Sequence, residues 1–148
     1  MNIRLASPND IDSLVAFNQA MALETEGKLL EGGVLRDGVA AVFSDEKKGF
    51  YVVAEERGTI VGGLMVTLEW SDWRAKWFWW IQSVYILPES RGRKIYRGLY
   101  DFVKGKAKEK SNVCGFRLYV EEDNARAQKV YERVGMHGSN YLMFEEDA

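Results

Sequence analysis

Three consecutive segments rich in valine, isoleucine and aromatics, "FYVVAEE" (50–56), "TIVGGLMVTLEW" (59–70) and "WFWWIQSVYIL" (77–87), are separated only by "RG" and "SDWRAK". Links that short join neighbouring antiparallel strands and leave no room for a crossover, so the middle of the chain has to be a meander. Alternation along its third segment sends Trp77, Trp79 and Ile81 to one side and Phe78, Trp80 and Gln82 to the other. Trp70, Trp73, Trp77, Trp79, Trp80 and Phe78 form an unusually dense aromatic block. Core packing on both sheet faces, an aromatic wall where a cationic substrate sits over a ring, and a homodimer interface all fit it.

The flanking segments supply what packs on that sheet. Asn2–Leu5 suits an edge strand, and Ser7 with Pro8 signals a helix start. Ile11, Leu14, Val15, Phe17 and Met21 then keep a helical period to about Leu23. A second helix fits Leu35 to Phe43, with the acidic link "ETEGKLLEGG" between the two. After Pro88, residues Ile95, Leu99, Phe102, Val103 and Ala107 share an apolar face of a helix running to about Lys110. "CGFRLYV" returns to strand, a helix covers Asn124 to Val134 and ends at Gly135, and "YLMFE" reads as a last strand. The order β-α-α-β-β-β-α-β-α-β implies an α/β fold in one domain, residues 1–148. Its central sheet is mixed and mostly antiparallel, with helices on both faces.

A net charge of -2 with 28% charged residues gives no global attraction to nucleic acid. Cys114 is the lone cysteine, so no internal disulfide forms and a reducing cytoplasm is expected; Cys114 and His137 lack metal-ligand spacing, and no metal is expected. No apolar run reaches the roughly 18 residues of a membrane helix. Charge is nonetheless uneven. Between Arg91 and Lys110 eight lysines and arginines face only Asp101 and Glu109. They follow "SVYILPESRGRKIYRGLY", a strand, tight turn and helix start, and a free helix N-terminus of that kind is an anion site. A merely solvated basic helix face is the alternative. Some thirty residues on, "EEDNARAQKVYERVG" places Asn124 and Tyr131 seven residues apart, on one helix face.

Together these stretches resemble the GNAT superfamily of acyl-CoA-dependent N-acyltransferases, over nearly the whole chain in element order and motif. "FRLYVEEDNARAQKVYERVGM" looks most like the small-amine branch that includes spermidine/spermine acetyltransferases. The resemblance implies that Arg91, Gly92, Arg93, Lys94, Ile95, Tyr96 and Arg97 form a turn whose backbone amides hold the pyrophosphate of acetyl-CoA. It also implies that Val84, Tyr85 and Ile86 line the pantetheine arm, where a backbone N–H at Val84 or Tyr85 holds the thioester oxygen. Asn124 and Tyr131 match the family's asparagine and tyrosine beside the pantetheine and thioester. Lys94 and Tyr96 stand where the family has small residues. Backbone N–H donors survive that change, and with Lys94 in the ordinary helical region no positive φ is needed. Arg93 and Lys94 can then add side-chain charge, while the Tyr96 ring packs under the turn or covers the cofactor.

An alkyl amine with pKa about 10 needs a proton acceptor near neutral pH. Some family members carry a carboxylate where this chain has Gln82, which is no base. Glu24 and Glu26 on the acidic link, where the family lays substrate over the thioester, are the expected catalytic and substrate-binding carboxylates, with Glu69 a further acceptor. Trp79 and Gln82 complete the expected substrate contacts. Tyr131 would stabilise the departing thiolate. The implied reaction is acetyl transfer to a small cationic amine; a non-catalytic acyl-CoA-binding module is the alternative that Gln82 suggests.

Overall fold

The computed structural model describes residues 1–148. Contacts group the chain into two compact units, Met1–Leu118 and Tyr119–Ala148. In the first, the meander forms as β2 (Phe50–Glu56), β3 (Thr59–Ser71) and β4 (Lys76–Ile86), with β1 (Asn2–Leu5) added at the edge of β2. These four strands pair antiparallel. β5 (Val113–Arg117) pairs parallel to β4 after the crossover helix α3 (Ile95–Lys110). The sheet order is β1-β2-β3-β4-β5.

Helices α1 (Ile11–Glu26) and α2 (Gly32–Ser44) fall between β1 and β2. Helix α1 is entered through a single 3-10 turn at Pro8–Asp10, where the buried Asp10 carboxylate accepts from the Ser7 N–H at 2.8 Å and from Arg4 Nη1 at 2.8 Å. Arg4 spans from Asp10 to Glu55, which fastens β1 and the helix entry to the end of β2. Helix α2 begins three residues before its expected start because Glu31 caps it, accepting from Gly33 and Val34 N–H. A local acceptor satisfies the orphan N–H groups and so outweighs the poor helix propensity of Gly32 and Gly33.

Strand alternation divides the core into two layers. Tyr51 and Val53 pack with Leu14, Val39 and Val42 on the α1/α2 side. Val52 and Ala54, both 0% exposed, face the other way. There α3 contributes Ile95, Leu99 and Val103, at most 3% exposed. The adjacent glycines of β3 show both layers at once: Gly62 lies against Ile95 and Gly63 against Leu14. Most of the aromatic block joins this packing. Trp79 is 5% exposed with its ring edge-on to Phe50 and Phe116, whereas Trp73 at the β3–β4 hairpin tip is 90% exposed.

In the second unit α4 spans Ala125–Arg133, and Asn124 caps it by accepting from the Ala127 N–H at 3.1 Å. Gly135, at φ 101, follows its end. The expected last strand is corrected: Tyr141 to Glu145 pair with no strand. Alternation alone does not make a strand, because backbone N–H and C=O need a laddered partner. Tyr141, Leu142 and Phe144 are 78%, 78% and 93% exposed. Likewise the fifth strand stops at Arg117 rather than continuing through Val120.

Candidate active site

Pairing between β4 and β5 ends at Trp80↔Arg117. From Ile81 to Ile86, β4 therefore has a strand neighbour on the β3 side alone, and its other edge can take hydrogen bonds from something that is not a strand. The same stretch carries a bulge. Gly63 pairs with Tyr85 and Met65 with Gln82, so Ser83 and Val84 stand opposite Leu64 alone, and Ser83 takes φ 51. One extra residue resets the alternation. Gln82 and Tyr85, three apart, consequently both lie on the α1 side, Tyr85 with its ring 5.3 Å from Phe17.

Past Ile86 the chain makes one 3-10 turn, Pro88–Ser90, and then Arg91 to Lys94 lead into α3. Gly92 has φ 78, and Lys94, the residue capping α3, has φ 62 and ψ 24. Lys94 is thus left-handed, contrary to the expectation of a helical backbone there. The position requires positive φ, which is the reason a glycine suits it. Lys94 makes no side-chain cap, and the first helical bond of α3 runs from Gly98 N–H to the Lys94 carbonyl. Ile95, Tyr96 and Arg97 accordingly present backbone N–H groups at the positive end of a sixteen-residue helix. This arrangement suits a pyrophosphate, and no glycine at Tyr96 is needed for it. The Tyr96 ring is 7% exposed and stacks on Tyr100, centroids 6.0 Å apart and planes 4° apart. It packs along α3 against the next turn of the helix.

The arginines of the turn are engaged elsewhere. Arg93 forks onto Glu56, with Nη1 donating to Oε1 at 3.2 Å and Nη2 to Oε2, and this holds the Glu56 carboxyl below its ordinary range. Its guanidinium is thus paired with the last residue of β2. Arg91 donates from Nε to the Ile86 carbonyl at 2.9 Å and from Nη2 to Glu24 at 2.9 Å. The Tyr85 hydroxyl donates to the other Glu24 oxygen at 2.8 Å. The Tyr85 hydroxyl, then Arg91, hold Glu24 below the usual carboxylate range. Glu26 is exposed at the end of α1.

Beside the bulge, the α1 side of the sheet bears a polar and aromatic floor. Gln82 Nε2 donates to Thr67 Oγ1 at 2.6 Å. Glu69 Oε1 accepts from Trp80 Nε1 and from Arg117 Nη1, each at 2.9 Å. The Arg117 guanidinium lies 3.5 Å from the Phe78 ring centre. The aromatic in phase with Gln82 on this face is Trp80, whereas the expected Trp79 is enclosed by the Phe50 and Phe116 rings on the opposite face. Arg117 and Thr67 were not singled out by sequence; only strand register, Arg117 opposite Trp80 and Thr67 opposite Trp80 on the other edge, brings them there. In the second unit, Asn124 Oδ1 is committed to its cap and burial raises the Tyr131 phenol above its ordinary pKa.

The chain is similar to known proteins. The family model described as Acetyltransferase (GNAT) family matches residues 17–136. A relative from Salmonella typhimurium, aminoalkylphosphonate N-acetyltransferase, is 28% identical over 142 residues, covering 94% of this chain and 86% of that protein. The crystal structure of a "possible acetyltransferase" from Clostridium difficile 630 superposes with a TM-score of 0.92 at 41% identity, covering 99% of this chain and 97% of that one. A "predicted acetyltransferase with acetyl-CoA" from Clostridium acetobutylicum shares the fold, with TM-score 0.79 at 20% identity over 98% and 95% of the two chains. No helix is long and apolar enough to cross a membrane. The family model over residues 17–136, together with a 41% identical structure of the same fold, makes the chain a member of the GNAT acetyltransferase family, and an N-acetyltransferase.

Proposed function

We propose that the chain transfers the acetyl group of acetyl-CoA to the primary amine of a small cationic acceptor in the cytoplasm. The observation carrying this reading is the β4 edge that β5 leaves beyond Trp80, followed across the Pro88–Lys94 turn by the N-terminus of α3, which has no side-chain cap. Backbone N–H groups of Ile95, Tyr96 and Arg97 would hold the pyrophosphate, and the edge from Val84 to Ile86 would hold the pantetheine arm. The cofactor supplies an activated acetyl thioester. What the chain adds is chiefly positioning and fixed donors.

The acceptor ammonium has to lose a proton before it attacks, a deficit of about three pKa units at neutral pH. Glu26, exposed at the end of α1, is the proposed acceptor of that proton, through water. Glu24 serves worse: two donors already stabilise its ionised form, so it binds a proton only at low pH. Tyr131 is assigned the hydrogen bond to the departing thiolate on its match to the family tyrosine. Glu69 is exposed and uses Oε1 for both its bonds, and with Trp80 it can receive a cationic part of the acceptor.

The aminoalkylphosphonate relative suggests a second acceptor class, an amine bearing an anionic group. Arg117 beside Glu69 on the floor is the observation in its favour. Free coenzyme A release from acetyl-CoA, measured with a panel of polyamines, aminoalkylphosphonates and amino acids, tests both readings. Turnover of diamines and polyamines alone is expected. Turnover of phosphonates alone would replace the cationic acceptor by the zwitterionic one. Acetyl-CoA that raises Tm with no acceptor turned over would support a binding module instead.

A further inference from the structure

The hairpin joining β3 to β4 closes at Ser71↔Lys76, and its tip, residues 72–75, bears Trp73 at 90% exposure. Behind the tip Trp70, 52% exposed, meets Trp77 edge-on with ring centres 5.0 Å apart. Indoles exposed in this way add nothing to the core and leave apolar surface in water. The same end of the sheet collects positive charge. As the crossover between parallel β4 and β5, α3 carries the chain back to the hairpin end, where the Trp77 N–H donates to the Asn112 carbonyl at 2.9 Å. Lys108 and Lys110 in its last turn are exposed, as are Arg74 and Lys76 of the hairpin. None of these four is paired with a carboxylate. Arg74 instead lies over the Phe78 ring, 5.1 Å from its centre. Of the acidic residues there, Glu109 is taken by Lys106 and only Asp72 remains. Lysines in the last turn of a helix are ordinary complements of its dipole and alone carry nothing. The exposed tryptophans beside them make the difference.

We infer that this end of the sheet is a docking surface for an anionic lipid bilayer, with Trp73 entering the headgroup layer and Arg74, Lys76, Lys108 and Lys110 facing the lipid phosphates. An indole joins an apolar body to one N–H donor, the combination that settles at a membrane–water interface. Each cation within a Debye length of an anionic leaflet adds attraction, about fivefold in partition. A single-stranded nucleic acid would want stacking platforms strung along a basic groove. Here indoles and cations come from a hairpin and a helix end, a cluster that suits a plane better than a strand. Such docking is peripheral and reversible, and needs no spanning helix. It also leaves the chemistry free. The sixteen residues of α3, about 24 Å of helix, separate this surface from the N–H groups of Ile95 to Arg97. Acetyl-CoA and the bilayer therefore have separate places to bind.

Co-sedimentation of the whole protein with phosphatidylcholine vesicles, pure or with about a third phosphatidylglycerol, tests this. The protein is expected to pellet with the anionic vesicles and stay in solution with the neutral ones, and about 0.5 M salt should release it. Lys108→Gln combined with Lys110→Gln should lower the partition coefficient by about twentyfold, and Trp73→Ala by about tenfold or more, each with the parent's Tm. Tryptophan emission should shift to the blue on adding anionic vesicles, and less so in Trp73→Ala. Acetyl-CoA at saturation should leave the partition unchanged. No pelleting with anionic vesicles overturns the inference, as does pelleting that both variants retain in full. A single-stranded oligonucleotide bound through Trp73 and the lysines, with vesicles ignored, would assign the surface to nucleic acid and overturn it too. Release by acetyl-CoA would move the contact to the turn before α3, which is equally fatal. Should Trp73→Ala lose stability, the exposed lysine pair decides alone, and its full retention on vesicles ends the proposal.

Discussion

Lys94→Gly should stabilise the protein although it deletes a charged side chain. Lys94 sits at φ 62 and ψ 24, where the β-carbon of an L-residue crowds the following carbonyl. That conformation costs a non-glycine residue about 1–2 kcal/mol. Glycine removes the strain but brings a more flexible unfolded chain, which offsets about 0.5–1 kcal/mol. Glycine is also well tolerated at a helix N-cap, and Lys94 makes no side-chain cap to lose. The net expectation is a gain of about 0.5–1 kcal/mol. For a chain of this size that is a rise in Tm of roughly 1–4 °C.

The control is Lys94→Ala, which removes the same ammonium and keeps the β-carbon. It should remain within about 0.5 kcal/mol of the parent by urea or thermal unfolding. Comparing the two variants separates backbone strain from charge. Equal stability of Lys94→Gly and Lys94→Ala, or a glycine variant less stable than the parent, would refute the left-handed assignment. Acetyl-CoA affinity supplies a second reading. Both variants should weaken it equally and by no more than about fivefold, because the grip is assigned to backbone N–H groups and an exposed ammonium adds only a surface-scale term.

Tyr96→Ala should cost about 3–5 kcal/mol in urea unfolding, since it empties a buried ring site stacked on Tyr100; a loss below about 1 kcal/mol would place the ring outside the core. Asp10→Asn should cost about 2 kcal/mol at neutral pH by removing a carboxylate that Arg4 and the Ser7 N–H both address. Arg4, first among the causes, lowers the Asp10 pKa on folding, so its stabilisation is present above the unfolded value of about 4 and fades as pH falls through the lower folded value. The gap between parent and variant should narrow in acid unfolding curves below about pH 4 and stay flat above about pH 5; a gap that widens on acidification contradicts the sign. Tyr131→Phe should lower kcat by tenfold or more with the acetyl-CoA Kd unchanged, and full kcat would remove the residue from the chemistry.

The meander and its two layers follow from features that a sequence displays directly. Link length decides antiparallel pairing, and period-two and period-3.6 apolar patterns decide which faces are buried. That is why β2, β3, β4 and α3 stand within a few residues of where pattern alone puts them. Elements decided by a partner are the ones that departed. Helix α2 gained a turn from one capping carboxylate, and the segment Tyr141–Glu145 has the composition of a strand without a ladder to join.

The site divides along the same line. A helix phase could put Tyr96 near the turn, but its burial depends on Tyr100, one turn on, and on what α3 rests against. The charge count between Arg91 and Lys110 treated Arg91 and Arg93 as free cations. Both are neutralised by carboxylates, Glu24 and Glu56, lying 67 and 37 residues away, and long-range pairs of that kind leave no periodic trace. For the proposed anion site the consequence is a different source of attraction. An anion site that drew its attraction from arginine side chains would lose affinity steeply with salt, because each exposed cation contributes a screened charge. One built from oriented backbone N–H groups, with its arginines tied to the scaffold, loses little. Raising salt from about 0.05 to 0.5 M, across which the Debye length shrinks from roughly 14 to 4 Å, should therefore weaken acetyl-CoA binding by less than about tenfold. A hundredfold loss over that range would mean that the arginines leave Glu24 and Glu56 to grip the phosphates themselves.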